Sequence, residues 1–243
     1  MANLTEHRFV EGAQMLNALA VSTTVTLRRA AMRRGQASLV VPGGASARAL
    51  FSRLAKAAIP WPLVIATLTD ERWVTITDEE SNEKSVREHL LTGPAKALRF
   101  VGLKSAEREP EAAENTCERR LKAVPRPFDL VILGMGVDGH IASLFPGAPG
   151  IQDALASSNP RAYQFIQPPS AQHSVRMTLT LNTLLDSRHL ILLIAGHEKW
   201  QTYQHACTPG LATEMPVRGI LNQDRVPVDV FWAPNLITHQ KSP

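Results

Sequence analysis

Short, nearly unbroken aliphatic runs alternate along this chain with longer stretches of helical periodicity. Ala37–Val41, Leu63–Leu68, Phe128–Leu133 and His189–Ala195 are too short for ordinary helices. They also lack the strict alternation of a strand with one wet face, so they read as strands buried on both sides. Between them, Val10–Arg34, Ser46–Ala58, Asn82–Leu91, Pro110–Lys122 and Glu198–Ala206 have helical patterns. Pro110 with Glu111 suits a first helical turn, and Gly35 is a stop signal. The β-branched stretch Val21–Thr26 argues against one continuous helix over Val10–Arg34. Leu98–Val101 and Val228–Trp232 add short strands. Val175–Leu181 alternates in part, as an exposed or edge strand would. The pattern predicts an α/β fold, with a mostly parallel sheet flanked by helices on both faces. In such sheets ligands bind beyond the carboxyl ends of the strands, so the loops there are where chemistry is expected.

Composition narrows the class. The 243 residues are 44% hydrophobic and 20% charged, which fits a globular chain and excludes intrinsic disorder. Lys and Arg number 26 against 22 Asp and Glu, a net charge of +4. That excess is too small and too scattered to point to nucleic acid, and it is compatible with a small anionic substrate. Cys117 and Cys207 form no metal-ligand spacing and read as reduced thiols. The longest apolar run, Leu190–Ala195, is far short of a membrane span, and Met1–Val10 holds no apolar signal core. The expectation is a cytoplasmic protein with neither membrane nor nucleic-acid partner.

Four loops after strands carry chemistry. In Pro42-Gly43-Gly44-Ala45-Ser46, paired glycines let backbone N–H groups approach an anion, and Ser46 can cap the following helix or bond an oxyanion. A tight strand-to-helix turn would use the same glycines for steric reasons alone. Thr69-Asp70-Glu71-Arg72-Trp73-Val74 places an arginine suited to bidentate phosphate recognition beside an acidic pair. A surface salt bridge is the plainer alternative. Gly134, Gly136 and Gly139 match the spacing of a dinucleotide fingerprint, but Pro146, Gly147, Pro149 and Gly150 leave no room for the helix it requires. The same loop presents Asp138 and His140, a carboxylate able to fix the tautomer of an imidazole base. Lys199 sits at a helix start, an unfavourable place for a cation unless an anion meets it there. Arg176 opens a strand and is ambiguous in the same way. His7, His89, His173, His189, His197 and His205 have no comparable setting and read as non-catalytic.

Together these loops resemble the 6-phosphogluconolactonase family. The resemblance runs from Ala37 to about Lys199 and is densest over FDLVILGMGVDGHIASLFPG at Phe128–Gly147. TDERWV at Thr69–Val74 with Ser81-Asn82, RMTLTLNTLL at Arg176–Leu185 and GHEK at Gly196–Lys199 follow in the family's order. The resemblance implies one α/β domain over residues 1–243, Rossmann-like and of the sugar-phosphate isomerase and deaminase type. It implies hydrolysis of 6-phospho-D-glucono-1,5-lactone, the second step of the oxidative pentose phosphate pathway, without metal or cofactor. By position, His140 becomes the general base, with Asp138 beside it, and Arg72 and Lys199 become phosphate ligands. The expected substrate-binding set is Gly43, Gly44, Ser46, Asp70, Arg72, Gly136, Arg176 and Lys199. Where the family usually reads GGSTP, this chain has Gly43-Gly44-Ala45-Ser46-Ala47, one hydroxyl fewer and no proline.

Two rivals remain at this level. The related glucosamine-6-phosphate deaminases share the D-G-H loop but need a glutamate where this chain has Phe145, and phenylalanine cannot move protons. A non-catalytic sugar-phosphate sensor would need neither Asp138 nor His140. The substrate is expected to be a small phosphosugar lactone, and the assembly a monomer or small homo-oligomer.

Overall fold

The computed structural model describes residues 3–170 and 174–236, so His173 and the chain ends lie outside the described residues. In chain order, β1 (Leu4–Arg8) leads into α1 (Gly12–Arg34), β2 (Ala37–Val41), α2 (Ala45–Leu54), β3 (Val64–Leu68) and β4 (Asp70–Arg72). Then come α3 (Asn82–His89), β5 (Arg99–Val101), α4 (Pro110–Leu121), β6 (Leu130–Gly134), α5 (Ile151–Leu155) and β7 (Tyr163–Ile166). The chain closes with β8 (Arg176–Leu179), α6 (Leu181–Leu184), β9 (Leu190–Ala195), α7 (His197–Ala206), α8 (Arg218–Leu221) and β10 (Val228–Ala233).

Seven strands form one sheet in the order β1-β10-β9-β6-β2-β3-β5, and every neighbouring pair is parallel. The aliphatic runs behave as their composition demands: β2 is buried at every position, and β6 and β9 at all but the last. The α/β architecture expected from the sequence is present, helices flanking a parallel sheet.

Helix α1 is continuous through its β-branched stretch. Thr24 Oγ1 donates to the Ala20 carbonyl at 2.7 Å, and Met15, Leu16, Leu19, Leu27, Ala30 and Ala31 are buried along one face. Burial of that stripe outweighs the few tenths of a kcal/mol that each β-branched residue costs in a helix.

A second sheet is the main departure from expectation. β4, β8 and β7 form an antiparallel three-stranded unit, with β8 in the middle and all four of its residues buried. The stretch 175–181 is therefore not an exposed or edge strand. Residues 70–72, expected as loop, instead pair with β8 directly after β3 ends. Strand β1 carries no aliphatic signal because LTEHR is polar, as suits its exposed position at the edge of the large sheet.

The outer edge of β7 is covered by two carboxylates from one helix. Glu118 Oε1 accepts the backbone N–H groups of Ala162 and Tyr163 at 2.6 and 3.1 Å, and Glu114 Oε1 accepts that of Phe165 at 3.1 Å. Four helical residues advance about 6 Å and two strand residues about 6.8 Å, so carboxylates at i and i+4 match outward N–H groups at i and i+2.

At the amino ends of β2 and β6, buried Asp129 accepts the Ser38 backbone N–H at 2.8 Å and pairs with Arg34, while Ser38 Oγ accepts the Asp129 N–H at 2.9 Å. This exchange fixes the relative register of the two strands whose opposite ends carry the glycine loops. Asp129→Ala leaves the buried Ser38 N–H without an acceptor and should cost about 2 kcal/mol of stability. Chemical denaturation with an unchanged m-value would show it.

Candidate functional site

β9, β6 and β2 are adjacent and parallel, so their carboxyl ends open side by side. A cavity of about 210 Å³ lies there. The β2 loop contributes Pro42, Gly43, Gly44, Ala45 and Ser46; the β6 loop contributes Gly134, Met135, Gly136, His140 and Ala142. Asp70 and Arg72 of β4, Asn82 of α3, Leu193 of β9 and Lys199 of α7 complete the wall. The structure thus brings to one cavity every sequence-predicted site residue except Asp138, which stands behind His140, and Arg176.

The β6 loop is a pair of tight turns. Gly136 N–H donates to the His140 carbonyl at 3.0 Å and Gly139 N–H to the Gly136 carbonyl at 3.1 Å. The turns fold Asp138 onto His140, whose backbone N–H donates to Asp138 Oδ1 at 3.1 Å, with ring Nδ1 2.6 Å from the same oxygen. A Cβ at position 136 would overlap both Nδ1 of His140 and Oδ1 of Asp138, so only glycine permits the pair to close. The carboxylate is an acceptor alone, so in the neutral ring the proton sits on Nδ1 and Nε2 keeps its lone pair. Burial pushes the Asp138 carboxyl up, but the hydrogen bond and charge of His140 outweigh it and leave the group below its ordinary value. The His140 ring packs against Phe145 with centroids 4.5 Å apart.

The opposite wall is cationic. Arg72 and Arg176 are direct partners across the β4–β8 ladder, an arrangement of like charges that costs stability unless something compensates. Arg72 donates through Nη1 to the Glu80 carbonyl, and its Nε is buried with no protein partner. Arg176 is 8% exposed and donates through Nε to the Ser174 carbonyl at 3.0 Å; burial and then Arg72 disfavour its charged form. It stands beside Arg72 and does not line the cavity. Lys199 has no hydrogen-bond or ion-pair partner among the described residues. Burial pushes its ammonium below the ordinary lysine value, with Asp138 and then Glu198 pulling the other way. An anion in the cavity would relieve all three costs.

Glu71 holds this wall in place. It is fully buried, and its carboxylate accepts the N–H groups of Arg72, Asn82 and Glu83, each at 2.7 Å, so it caps α3 and fixes the Arg72 backbone together. Burial raises its pKa to about 7, against the pull of those same hydrogen bonds. Asp70 lines the cavity, yet both its oxygens accept protein hydroxyls, Thr69 Oγ1 at 2.7 Å and Ser143 Oγ at 2.6 Å. Ser46 is not the helix cap: α2 begins at Ala45 with Gly44 as N-cap, and Ser46 lies in the first turn on the cavity wall. Asn82 is a wall residue that the sequence signals only through the Ser81-Asn82 motif. It is buried, donates through Nδ2 to the Asp70 carbonyl at 2.9 Å, and packs so tightly on Gly43 that a Cβ there would fall on its amide.

A family model described as glucosamine-6-phosphate isomerases/6-phosphogluconolactonase matches residues 11–232. The chain belongs to this family. A protein of Rhizobium meliloti named 6-phosphogluconolactonase is 36% identical over 228 residues, covering 94% of this chain and 98% of that one. One of Mesorhizobium japonicum with the same name is 37% identical over 233 residues, covering 96% and 97%. The crystal structure of a 6-phosphogluconolactonase from Shewanella baltica superposes with a TM-score of 0.92 at 38% identity, covering 95% of this chain and 97% of that one.

A larger hollow, about 700 Å³, lies between α4 and β7 and is lined by Glu111, Glu114, Asp153, Asn159 and Arg161 among others. Its buried carboxylate, Glu114, is already engaged by Arg161 and the Phe165 N–H. The candidate site of this glucosamine-6-phosphate isomerase/6-phosphogluconolactonase family member is the smaller cavity at the strand ends. Among the described residues, no group of three or more His, Cys, Asp and Glu is placed to hold a metal ion, and no helix is long and apolar enough to cross a membrane.

Two outcomes are expected of this cavity. Gly43→Ala forces the Asn82 amide aside, an overpacking that should cost about 1–3 kcal/mol in denaturation experiments and weaken binding of inorganic phosphate. The Lys199 ammonium is lost on deprotonation, at a pH below the ordinary lysine range because its pKa is lowered. Calorimetric titration with inorganic phosphate, above the pH where phosphate becomes a dianion, should show affinity falling as pH rises. Lys199→Arg keeps its charge and should abolish that fall.

Proposed function

We propose that the chain hydrolyses 6-phospho-D-glucono-1,5-lactone to 6-phospho-D-gluconate, the second step of the oxidative pentose phosphate pathway, with His140 as general base. The observation that carries this reading is the shared cavity. A tautomer-fixed imidazole stands on one wall, and on the others stand a guanidinium whose buried Nε has no partner and an ammonium with none among the described residues. The relatives named 6-phosphogluconolactonase, similar over nearly the whole chain, support the same activity.

Arg72 and Lys199 grip the phosphate, and Arg176 adds to the field beside Arg72. Anchoring the phosphate places C1 of the lactone ring over His140, and positioning of this kind supplies several kcal/mol. Nε2 of neutral His140 takes a proton from water as the oxygen attacks C1. Asp138 stabilises the imidazolium that forms. The tetrahedral oxyanion is held by backbone N–H groups of the glycine loop at Gly43-Gly44. When the C1–ring oxygen bond breaks, the imidazolium returns its proton to the leaving oxygen, and the acid product departs. Phe145 against the His140 ring fills the place where the deaminase reaction would need a carboxylate.

The test couples freshly generated lactone to 6-phosphogluconate dehydrogenase and subtracts spontaneous hydrolysis. His140→Ala should lower kcat by about 10²-fold or more, the ordinary contribution of a general base. Full turnover in that variant removes His140 from the mechanism, and a wild type that does not exceed the spontaneous rate removes the activity.

A further inference from the structure

Ser143 lies three residues beyond His140, is 1% exposed, and takes no part in the chemistry described. Both of its hydrogen bonds cross from the β6 loop of the large sheet to the small antiparallel sheet. Its Oγ donates to Asp70 Oδ2 at 2.6 Å, and its backbone N–H donates to Thr178 Oγ1 at 3.2 Å. Asp70 and Thr178 are direct partners across the β4–β8 ladder. Thr69 Oγ1 occupies the other Asp70 oxygen at 2.7 Å, and the Thr178 hydroxyl donates to the Leu179 carbonyl at 3.2 Å. The carboxylate and the hydroxyl are therefore both oriented to receive Ser143.

Strand alternation gives this junction its meaning. Residues two apart on a strand share a face, and direct partners share it too. Asp70, Arg72, Arg176 and Thr178 therefore stand on one face of the small sheet, with the arginine pair one step along from the pair that holds Ser143. Between His140 and Ser143 the chain makes a constrained turn. Ile141 is fully buried, and Ala142 has φ +49°, a left-handed conformation that a non-glycine residue keeps only when contacts on both sides enforce it. The Leu144 N–H, donating to the Ile141 carbonyl at 2.9 Å, closes that turn.

The geometry points to Ser143 and Asp70 as a positioning pair that sets the separation between the His140 imidazole and the Arg72–Arg176 cations, and so matches the site to the length of a phosphorylated lactone. Asp70 thereby acts on the reaction through Ser143. This inference rests on the lactonase reading. It adds that the base is aligned to a held phosphate by one buried hydroxyl.

The test compares wild type and Ser143→Ala on two substrates: 6-phospho-D-glucono-1,5-lactone, and glucono-1,5-lactone, which lacks the phosphate. Thermal melting first identifies a temperature at which both proteins are folded. The expected result is a kcat on the phosphorylated lactone lowered about tenfold, with KM changed less than about twofold because the cations are intact. The activity on the unphosphorylated lactone, whose C1 is not tethered to the arginines, should fall by a clearly smaller factor. Equal fractional losses on both substrates would mean that Ser143 only stabilises the loop, and an unchanged kcat would mean that it does nothing; either overturns the proposal. If Ser143→Ala does not fold, the isosteric Thr178→Val removes the acceptor of the Ser143 N–H instead. Its losses on the two substrates are compared in the same way, and equal losses or an unchanged kcat again overturn the proposal. Failure of the lactonase reading itself is a separate result, since wild type would then show no catalysed hydrolysis at all.

Discussion

Parallel pairing of β9, β6 and β2 is the constraint on which the site depends. A parallel ladder sends every strand out of the sheet at the same edge, and short loops must turn there into helices or back over the sheet. Three such loops meet at one cavity because their strands are neighbours. The tie between Ser38 and Asp129 at the far end of β2 and β6 keeps the two central strands from sliding past one another. A shift by one residue would turn the Asp138–His140 loop away from the glycine loop after β2, since side chains alternate faces along a strand.

The small sheet supplies what the large one cannot. The loops after β2 and β6 are rich in glycine and bring backbone amides and an imidazole, while two of the cations come from β4 and β8. Those strands sit side by side with their arginines opposed, an arrangement that a purely structural sheet would avoid. Glu71 makes it tenable from the opposite face of β4, tying the strand to the start of α3 through three backbone N–H groups. The candidate site is thus built from two pieces, one carrying the Asp138–His140 pair and one carrying most of the positive charge.

Much of this is legible in the chain. The aliphatic runs locate the central strands to within a residue or two, because burial on both faces leaves little room for polar residues. Asp138 and His140 are legible because a carboxylate two residues before a histidine, between glycines, has few structural uses. What escapes is non-local. Residues 70–72 are charged and look like loop; only their pairing with β8, about a hundred residues away, makes them a strand. Arg176 is recognisable as unusual, but its place beside Arg72 follows from that same pairing. The first turn of α2 starts one residue earlier than its sequence suggests, since Ser46 is a better cap by type than Gly44. Asn82 belongs to a legible motif, yet its contact with Gly43 depends on how α3 packs against the glycine loop. The β-branched residues of α1 argue for a break that packing of its apolar stripe overrides.

The carboxylates along β7 have a consequence beyond the fold. A three-stranded antiparallel sheet ordinarily ends in a row of free amide groups, and such a row is a template on which an unfolded or neighbouring polypeptide can add itself as a further strand. Here Glu114 and Glu118 occupy those amides with negative charge, so an incoming backbone would find its own carbonyls facing carboxylate oxygens. The protein therefore carries on α4 a built-in deterrent to edge-on self-association. Neutralising those two acids would expose the molecule to aggregation through the small sheet while leaving the strand-end cavity untouched.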